Sequence, residues 1–267
     1  MNDVLEFQRG RIPLLISMPH PGTRLTPAVE QGLVDEARQL ADTDWHIPTL
    51  YAFATEMGAS TLEARYSRYV IDLNRPSDNT PLYSSNTTGL YPEVLFTGRP
   101  LFQPGATPTD EERHRYLEEI WRPYHACIAD ELERMKAEFG YAMLFDAHSI
   151  QSVLPHLFDG QLPDFNLGTN AGAACDPELA NRLVQVCARH PQYSHVLNGR
   201  FKGGHITRQY GRPDVNIHAF QLELVQKNYM DEFAPFAYRP DLAEPTQQVL
   251  RELLASMIAW GQERYGK

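Results

Sequence analysis

The chain has 267 residues, 42% of them hydrophobic and 22% charged, with 24 basic and 34 acidic residues and a net charge of −10. This composition is that of a folded globular protein and excludes a disordered, collagen-like or coiled-coil chain. The negative charge opposes broad binding to nucleic acid and to anionic lipid, so we expect neither as a partner. Because no stretch has the length and apolarity of a membrane span or a signal peptide, we expect a cytoplasmic protein.

The three cysteines, Cys127, Cys175 and Cys187, lie far apart and form no Cys-x-x-Cys pair. Their number and spacing favour neither a disulfide framework nor a zinc ribbon, and a reducing compartment fits them best. We therefore expect small buried residues and not catalytic thiolates.

Short apolar runs alternate with helical patterns along the chain. Strands are predicted over residues 13–18, 59–64, 66–73, 141–145, 195–197 and 217–225. Helices are predicted over residues 46–57, 109–139, 177–189 and 245–265. No repeat and no single linker divides the chain, so we expect one domain over residues 1–267. The alternation predicts an α/β layered fold around a mixed, largely parallel sheet.

The helix over 109–139 has the clearest signals at both ends. Thr109 and Glu112 form a Thr-x-x-Glu capping box, Gly140 ends the helix, and Pro123 is expected to kink it. The segment 74–105, rich in Pro, Gly, Ser, Thr and Asn, is predicted to be a long ordered loop, a feature often associated with function.

Three of the apolar runs end in polar clusters. His20 follows the run 13–18, Asn74 and Arg75 follow the run 66–73, and His148 follows the run 141–145. Ligand sites of open α/β sheets lie beyond the carboxyl ends of the strands. Although a single histidine after a strand is often only structural, the three clusters together predict one site.

The run 217–225 alternates between two faces. His218, Phe220, Leu222 and Leu224 share one face, and Ala219, Gln221, Glu223 and Val225 share the other. Alternation alone leaves open whether Gln221 and Glu223 face solvent on a half-exposed strand. If the strand is central, Glu223 is a desolvated carboxylate that can carry a proton.

The segment 199–212 contains four basic residues and no acidic one, within a chain that is otherwise acidic. It is either an anion-binding segment or a solvated loop. Its paired glycines, Gly203 and Gly204, would permit close backbone approach to a ligand.

The motifs of several large enzyme classes are missing. The chain has no Gly-x-Ser-x-Gly, Gly-x-Gly-x-x-Gly, phosphate-binding loop or His-Glu-x-x-His. Serine hydrolases, Rossmann enzymes and helix-borne zinc proteases are therefore disfavoured. Two histidines at strand ends, nearby carboxylates, an arginine and a candidate base suit a zinc-activated water with three protein ligands.

Six segments, in order along the chain, resemble the motifs of the N-formylglutamate deformylase (N-formylglutamate amidohydrolase) family. They are Ile-Ser-Met-Pro-His-Pro-Gly (16–22), Asp-Thr-Asp-Trp-His (42–46), Ile-Asp-Leu-Asn-Arg-Pro (71–76), Asp-Ala-His-Ser (146–149), Gly-Gly-His-Ile-Thr-Arg (203–208) and Gln-Leu-Glu (221–223). The resemblance implies a three-layer α/β/α fold like that of the zinc carboxypeptidases. It also implies hydrolysis of N-formyl-L-glutamate to formate and L-glutamate in histidine degradation.

The resemblance also implies roles for individual residues. His20 and His148 match the two histidine ligands of one zinc ion per chain, and Glu223 matches the catalytic glutamate. Asn74 and Arg75 match a pair that meets substrate oxygens.

The wider carboxypeptidase pattern has a carboxylate ligand where this chain has Thr23, three residues after the first histidine. We expect Asp44 to be the third ligand, with Asp42 and Glu56 as alternatives. Asp44 directly precedes a predicted helix, where it could instead be an N-cap.

The expected mechanism follows from these roles. Zinc would activate a water molecule, Glu223 would accept its proton, and Arg75 would stabilise the oxyanion with the metal. Arg208 and Arg212 are the expected partners of the substrate carboxylates.

Two rival functions remain open. One is a carboxypeptidase or aspartoacylase-like amidohydrolase that acts on another N-acyl amino acid. The other is a receptor for acidic amino acids that has no catalytic activity and uses the basic segment without metal. The sequence is also compatible with a homo-oligomer.

Overall fold

A computed structural model describes residues 3–82 and 88–266. The strands are β1 (Leu5–Gln8), β2 (Leu14–Met18), β3 (Ser60–Ala64), β4 (Ala142–Ile150), β5 (Phe165–Gly168), β6 (His195–Leu197) and β7 (Ile217–Val225). The α-helices are α1 (Pro27–Gly32), α2 (Ile47–Leu50), α3 (Phe53–Glu56), α4 (Asp110–Tyr116), α5 (Arg122–Phe139), α6 (Pro177–Ala188), α7 (His205–Tyr210) and α8 (Pro240–Tyr265). Short 3-10 turns cover Glu36–Gln39, Pro213–Val215 and Gln226–Asn228.

The seven strands form one sheet in the order β1-β3-β2-β4-β7-β5-β6. Strands β3, β2, β4 and β7 are parallel neighbours, whereas β1 and β5 run antiparallel to β3 and β7. One apolar core lies between the sheet and helices that include α6 and α8, and a second lies on the opposite face against α5. The predicted α/β fold with a mixed, largely parallel sheet and helices on both faces is therefore confirmed.

The two central strands determine where the site lies. All nine residues of β4 and all nine of β7 are buried, and the two strands pair in parallel along their whole length. The apolar residues of β7 alternate as predicted: Phe220, Leu222 and Leu224 lie in the first core and Ile217 and Ala219 in the second, while Val225 packs in a third, smaller cluster. The alternative of a half-exposed strand is therefore wrong, because both faces of β7 are covered and Gln221 and Glu223 are only 3% and 7% exposed.

The predicted strand over residues 66–73 is wrong. Tyr69, Val70 and Ile71 are buried in the second core, but the backbone turns instead of extending: the Val70 N–H donates to Ser67 O at 2.9 Å. Apolar composition indicated burial here, and burial does not require a strand. Strands β1 and β5 were not predicted.

The predicted helices agree best with the structure where capping residues mark their ends in the sequence. The Thr109–Glu112 capping box is present at the start of α4. A π-helical turn over Leu117–Trp121 joins α4 to α5 directly before Pro123, so the long helix is irregular where proline was expected to kink it. The predicted helix over 46–57 is two short helices, α2 and α3.

The predicted loop over 74–105 contains no α-helix or strand among its described residues, and residues 83–87 of it lie outside the described part of the chain. Within residues 3–82 and 88–266, no helix combines the length and apolarity needed to cross a membrane.

Candidate active site

The carboxyl ends of β2, β4 and β7 meet at one cavity. His20 lies two residues beyond β2, while His148 and Glu223 lie near the ends of β4 and β7. All three side chains line the cavity, together with Asn74 and Arg75. The structure therefore brings together the three polar clusters and the glutamate that were predicted separately.

His20, Asp44 and His148 form a buried cluster that could hold a metal ion. Asp44 Oδ2 lies 3.1 Å from His148 Nδ1 and 3.8 Å from His20 Nδ1. Ligand atoms around a tetrahedral zinc are about 3.4 Å apart. The two Asp44 separations are close to that value, and all three ligand atoms lie within 4.8 Å of one another, as one shared cation requires. His20 Nδ1 is buried and has no hydrogen-bond partner in the described part of the chain. Buried polar atoms normally have a partner, so an unpartnered nitrogen here is consistent with a metal-binding role.

A second layer of carboxylates orients the two histidine rings. Asp72 Oδ1 lies 2.7 Å from His20 Nε2, and Asp146 Oδ2 lies 2.9 Å from His148 Nε2. A carboxylate can only accept a hydrogen bond, so each pair places a proton on Nε2 and leaves Nδ1 to face Asp44. Metal-binding histidines are commonly held in this way.

Burial and charge act differently on the two histidines. Burial and the nearby Arg68 charge lower the pKa of His20, despite the opposing effect of Asp72. Burial would also lower the pKa of His148, but Asp146 and Asp44 outweigh it and raise that pKa well above its ordinary value. The His148 imidazolium thus has one carboxylate beside each ring nitrogen, and metal binding at Nδ1 would have to displace the proton on that nitrogen.

Glu223 is a buried carboxylate beside the cluster. Its Cα is the register partner of His148 across β4 and β7, and its residue is 7% exposed. Burial raises the pKa of Glu223 to about 8, with His148 opposing that rise and Asp44 adding to it. A carboxylate with a pKa near neutrality is suited to accept and return a proton.

Asn74 and Arg75 are held in place by the backbone around them. Asn74 Oδ1 accepts a hydrogen bond from Ile206 N–H at 2.9 Å, which fixes the orientation of the Asn74 amide. Arg75 Nε donates to Thr88 O at 2.7 Å. Gly204 packs so closely against Asn74 that it has no room for a side chain, which explains the glycine at this position.

The basic segment contributes differently from the prediction. Arg200 lines the cavity, with its Nε donating to Leu157 O at 3.0 Å. Arg208 and Arg212 are not among the described residues that line it. Arg208 Nε donates to Gly203 O at 2.9 Å, and its Nη1 donates to Leu82 O at 3.3 Å.

Arg212 is an exposed residue outside the cavity lining. Its guanidinium is 3.6 Å from Glu133, and its side chain is 53% exposed. Its backbone bonds to Ile217 at the start of β7, the opposite end of that strand from Glu223. The structure does not bring Arg212 to the predicted substrate site.

Asp44 belongs to the histidine cluster, but the alternatives Asp42 and Glu56 do not. Asp42 Oδ2 accepts a hydrogen bond from Phe96 N–H at 3.0 Å, and burial raises the pKa of Asp42 to about 6. Glu56 is on the surface with a 78% exposed side chain, 4.0 Å from Arg251.

Sequence reasoning missed Arg68, the most buried arginine at the site. Its Nη2 donates to Asp72 Oδ2 at 2.7 Å, its Nη1 lies 4.0 Å from Asp44 Oδ1, and its guanidinium stacks on Phe96 at 4.5 Å. The only sequence feature that pointed to Arg68 was its position four residues before Asp72. The sequence pointed more clearly to Asp146, because Asp146 lies two residues before His148 on the same strand face.

Fold and site together define an α/β protein in which a buried His/Asp/His candidate metal centre, a buried glutamate and several arginines lie at the carboxyl ends of the central strands. The family model described as N-formylglutamate amidohydrolase matches residues 12–230. A protein of Pseudomonas aeruginosa named N-formylglutamate deformylase is 72% identical over 99% of this chain and 100% of its own length. One of Pseudomonas putida with the same name is 65% identical over 99% of both chains. The chain belongs to the N-formylglutamate amidohydrolase family.

Solved structures share the fold at lower identity. A crystal structure of N-formylglutamate amidohydrolase from Ralstonia eutropha JMP134 aligns with a TM-score of 0.80 at 23% identity, covering 97% of this chain and 98% of the other. The gene product Atu2144 of Agrobacterium tumefaciens aligns with a TM-score of 0.71 at 15% identity, covering 96% of each chain. At these identities the alignments support the fold alone.

Proposed function

We propose that the protein hydrolyses N-formyl-L-glutamate to formate and L-glutamate, with one zinc ion per chain, in histidine degradation. The observation that carries the proposal is the buried cluster of His20, Asp44 and His148, two of whose members, His20 and His148, line the same cavity as Glu223. Family membership and the deformylase name of the 72% and 65% identical relatives support the substrate.

His20, Asp44 and His148 would hold the metal. When bound, zinc would lower the pKa of a water molecule and polarise the formyl carbonyl. The donor set suits zinc because it combines two imidazole nitrogens with a carboxylate oxygen, and Asp72 and Asp146 fix the imidazole tautomers.

Glu223 would transfer the proton. It accepts a proton from the attacking water, whose oxygen bonds to the formyl carbon. The carbon–nitrogen bond then breaks, and Glu223 returns the proton to the amine nitrogen of the departing glutamate. Arg75, at the cavity wall, would stabilise the negative charge that develops on the formyl oxygen.

The two carboxylates of the substrate need cations within a protein whose net charge is −10. Arg75 and Arg200 line the cavity, and we assign one carboxylate to Arg200 and the other to Arg75, in addition to the role of Arg75 at the formyl oxygen. Arg68 also lines it, but its charge is directed at Asp72 and Asp44. Arg208, beside Leu82, is the alternative to Arg200.

The test is to measure formate release from N-formyl-L-glutamate by the purified protein, with N-acetyl-L-glutamate as the matched substrate. We expect turnover of the formyl compound, loss of turnover after chelation, and recovery on addition of one equivalent of zinc. Full activity after exhaustive chelation, with no metal detected, would rule out the metal role. Turnover of the acetyl compound alone would favour a different N-acyl amino acid.

A further inference from the structure

The third member of the metal cluster is held differently from the two histidines. His20 and His148 are supported by β2 and β4, whereas Asp44 lies in the irregular segment before α2. Its own N–H donates to His20 O at 3.1 Å, a bond that fixes one side of this segment. The carboxylate can keep its place only if the neighbouring peptide groups are fixed as well.

Two side chains from beyond β7 bind the backbone carbonyls on either side of Asp44. Gln226 Nε2 donates to Thr43 O at 3.0 Å, and the Tyr229 hydroxyl donates to Trp45 O at 2.8 Å. Both side chains are buried, with Gln226 2% exposed and Tyr229 0%. These bonds connect the Asp44 segment to the strand that carries Glu223.

Ser149 joins the same network from β4. Its Oγ lies 2.7 Å from the Tyr229 hydroxyl and 3.4 Å from Gln226 Nε2. Ser149 directly follows His148 in the chain. The Tyr229 hydroxyl therefore contacts both the segment that carries Asp44 and Ser149, the residue next to His148.

We propose that Tyr229 and Gln226 are positioning residues that hold the Asp44 carboxylate in metal-binding geometry, an inference that rests on the proposed metal site. Zinc–carboxylate bonds are confined to about 2.0 to 2.2 Å, so a small displacement of a loop aspartate removes it from the coordination sphere. A segment already fixed by the protein also loses less conformational entropy when the metal binds.

A purely structural role is the competing explanation, since buried polar groups need partners wherever they lie. Tyr51 offers a matched control because it is also a buried tyrosine, 1% exposed. Its hydroxyl has no hydrogen-bond partner in the described part of the chain. Tyr51→Phe and Tyr229→Phe therefore remove the same atom from two buried positions, and only one of those atoms holds the Asp44 segment.

The experiment measures zinc affinity of the full chain by competition with a chromophoric chelator, and urea unfolding of the metal-free proteins. We expect Tyr229→Phe to weaken zinc binding about 10 to 100-fold, the range for outer groups of metal sites, and Tyr51→Phe to change it less than about twofold. Gln226→Leu removes the second bond and should also weaken binding. It provides the test on its own if Tyr229→Phe does not fold.

Each outcome bears on the proposal. If native protein binds zinc and Tyr229→Phe and Gln226→Leu bind it as tightly as Tyr51→Phe, the positioning role is wrong while the metal site stands. If zinc affinity falls only in proportion to urea stability in all three variants, the role is structural and the inference also fails. If native protein binds no zinc, the proposed function and this inference fail together.

Discussion

The two sides of the cavity are built from different parts of the fold. His20, His148 and Glu223 lie at or just beyond the ends of buried parallel strands, where strand register fixes their spacing. Arg75 and Arg200 lie on segments without regular secondary structure, where side-chain bonds to distant carbonyls fix them. We call the first set of residues the strand side and the second the loop side. Apart from Asp44 and Arg75, the groups proposed to act in bond breaking are on the strand side. The groups proposed for substrate charge are on the loop side, where connecting segments can vary without disturbing the sheet.

The strand side should give the largest effects, beginning with His148, a proposed metal ligand. His148→Ala removes one nitrogen of the cluster and leaves Asp146 Oδ2 without the imidazole that it faces, although Ser17 still donates to Asp146 Oδ1. Loss of the metal forfeits several kcal/mol of transition-state stabilisation, so we expect activity to fall about 10³-fold or more. Metal analysis should show little bound zinc. A His148→Ala protein with native metal content and native turnover would remove this residue from the proposed centre.

Glu223→Gln should have the next largest effect. The amide keeps the shape of the side chain but cannot accept a proton, so kcat should fall roughly 10² to 10⁴-fold. Glu223 lies outside the His20, Asp44 and His148 cluster, so zinc content should stay native. Loss of zinc together with activity would mean that Glu223 ligates the metal and is not the proton carrier.

The strand side is also the part that sequence reasoning could find. His20 and His148 follow or end apolar runs, and parallel strands place such ends at one edge of a sheet. Glu223 was identifiable from a period of two, although only the folded structure, which covers both faces of β7, decides that it is buried.

Arg75 was predicted because it follows an apolar run, but the rest of the loop side could not be predicted, because turns depend on distant contacts. Arg68 reaches the cavity because the run 66–73 turns instead of extending, and Asp72 N–H in that run bonds to Leu90 O at 2.8 Å, 18 positions away. Arg200 is fixed by Leu157 O. The charge of the segment 199–212 was recognisable, but which of its arginines faces the cavity was not.

A comparison of Arg200 with Arg208 tests the assignment on the loop side. A charge-assisted bond to a carboxylate contributes about 1.5 to 3 kcal/mol, so Arg200→Ala should lower kcat/KM roughly ten to a hundredfold on N-formyl-L-glutamate. If Arg200 binds the side-chain carboxylate of the substrate, replacing N-formyl-L-glutamate with N-formyl-L-glutamine should lower kcat/KM of the native enzyme by a similar factor. The two losses should then be non-additive, because either change removes the same contact.

The matched variant for this test is Arg208→Ala. Additive losses for Arg200→Ala with the amide substrate, and non-additive losses for Arg208→Ala, would transfer the role to Arg208. Additive losses in both variants would indicate that neither arginine contacts the side-chain carboxylate and would leave Arg75 as the next candidate.

Arg212→Ala should have the smallest effect and marks the boundary of the site. Arg212 bonds through its backbone to Ile217, six residues before Glu223 on β7. At about 3.3 Å per residue, that separation corresponds to roughly 20 Å along the strand. Its half-exposed side chain faces Glu133, a surface pair of the kind that contributes little to stability.

We therefore expect Arg212→Ala to keep kcat/KM within about twofold of native and to leave the ratio between the acid and amide substrates unchanged. A tenfold loss confined to N-formyl-L-glutamate would instead show that positive charge at the far end of β7 reaches the substrate, and would contradict the division between the two sides of the cavity.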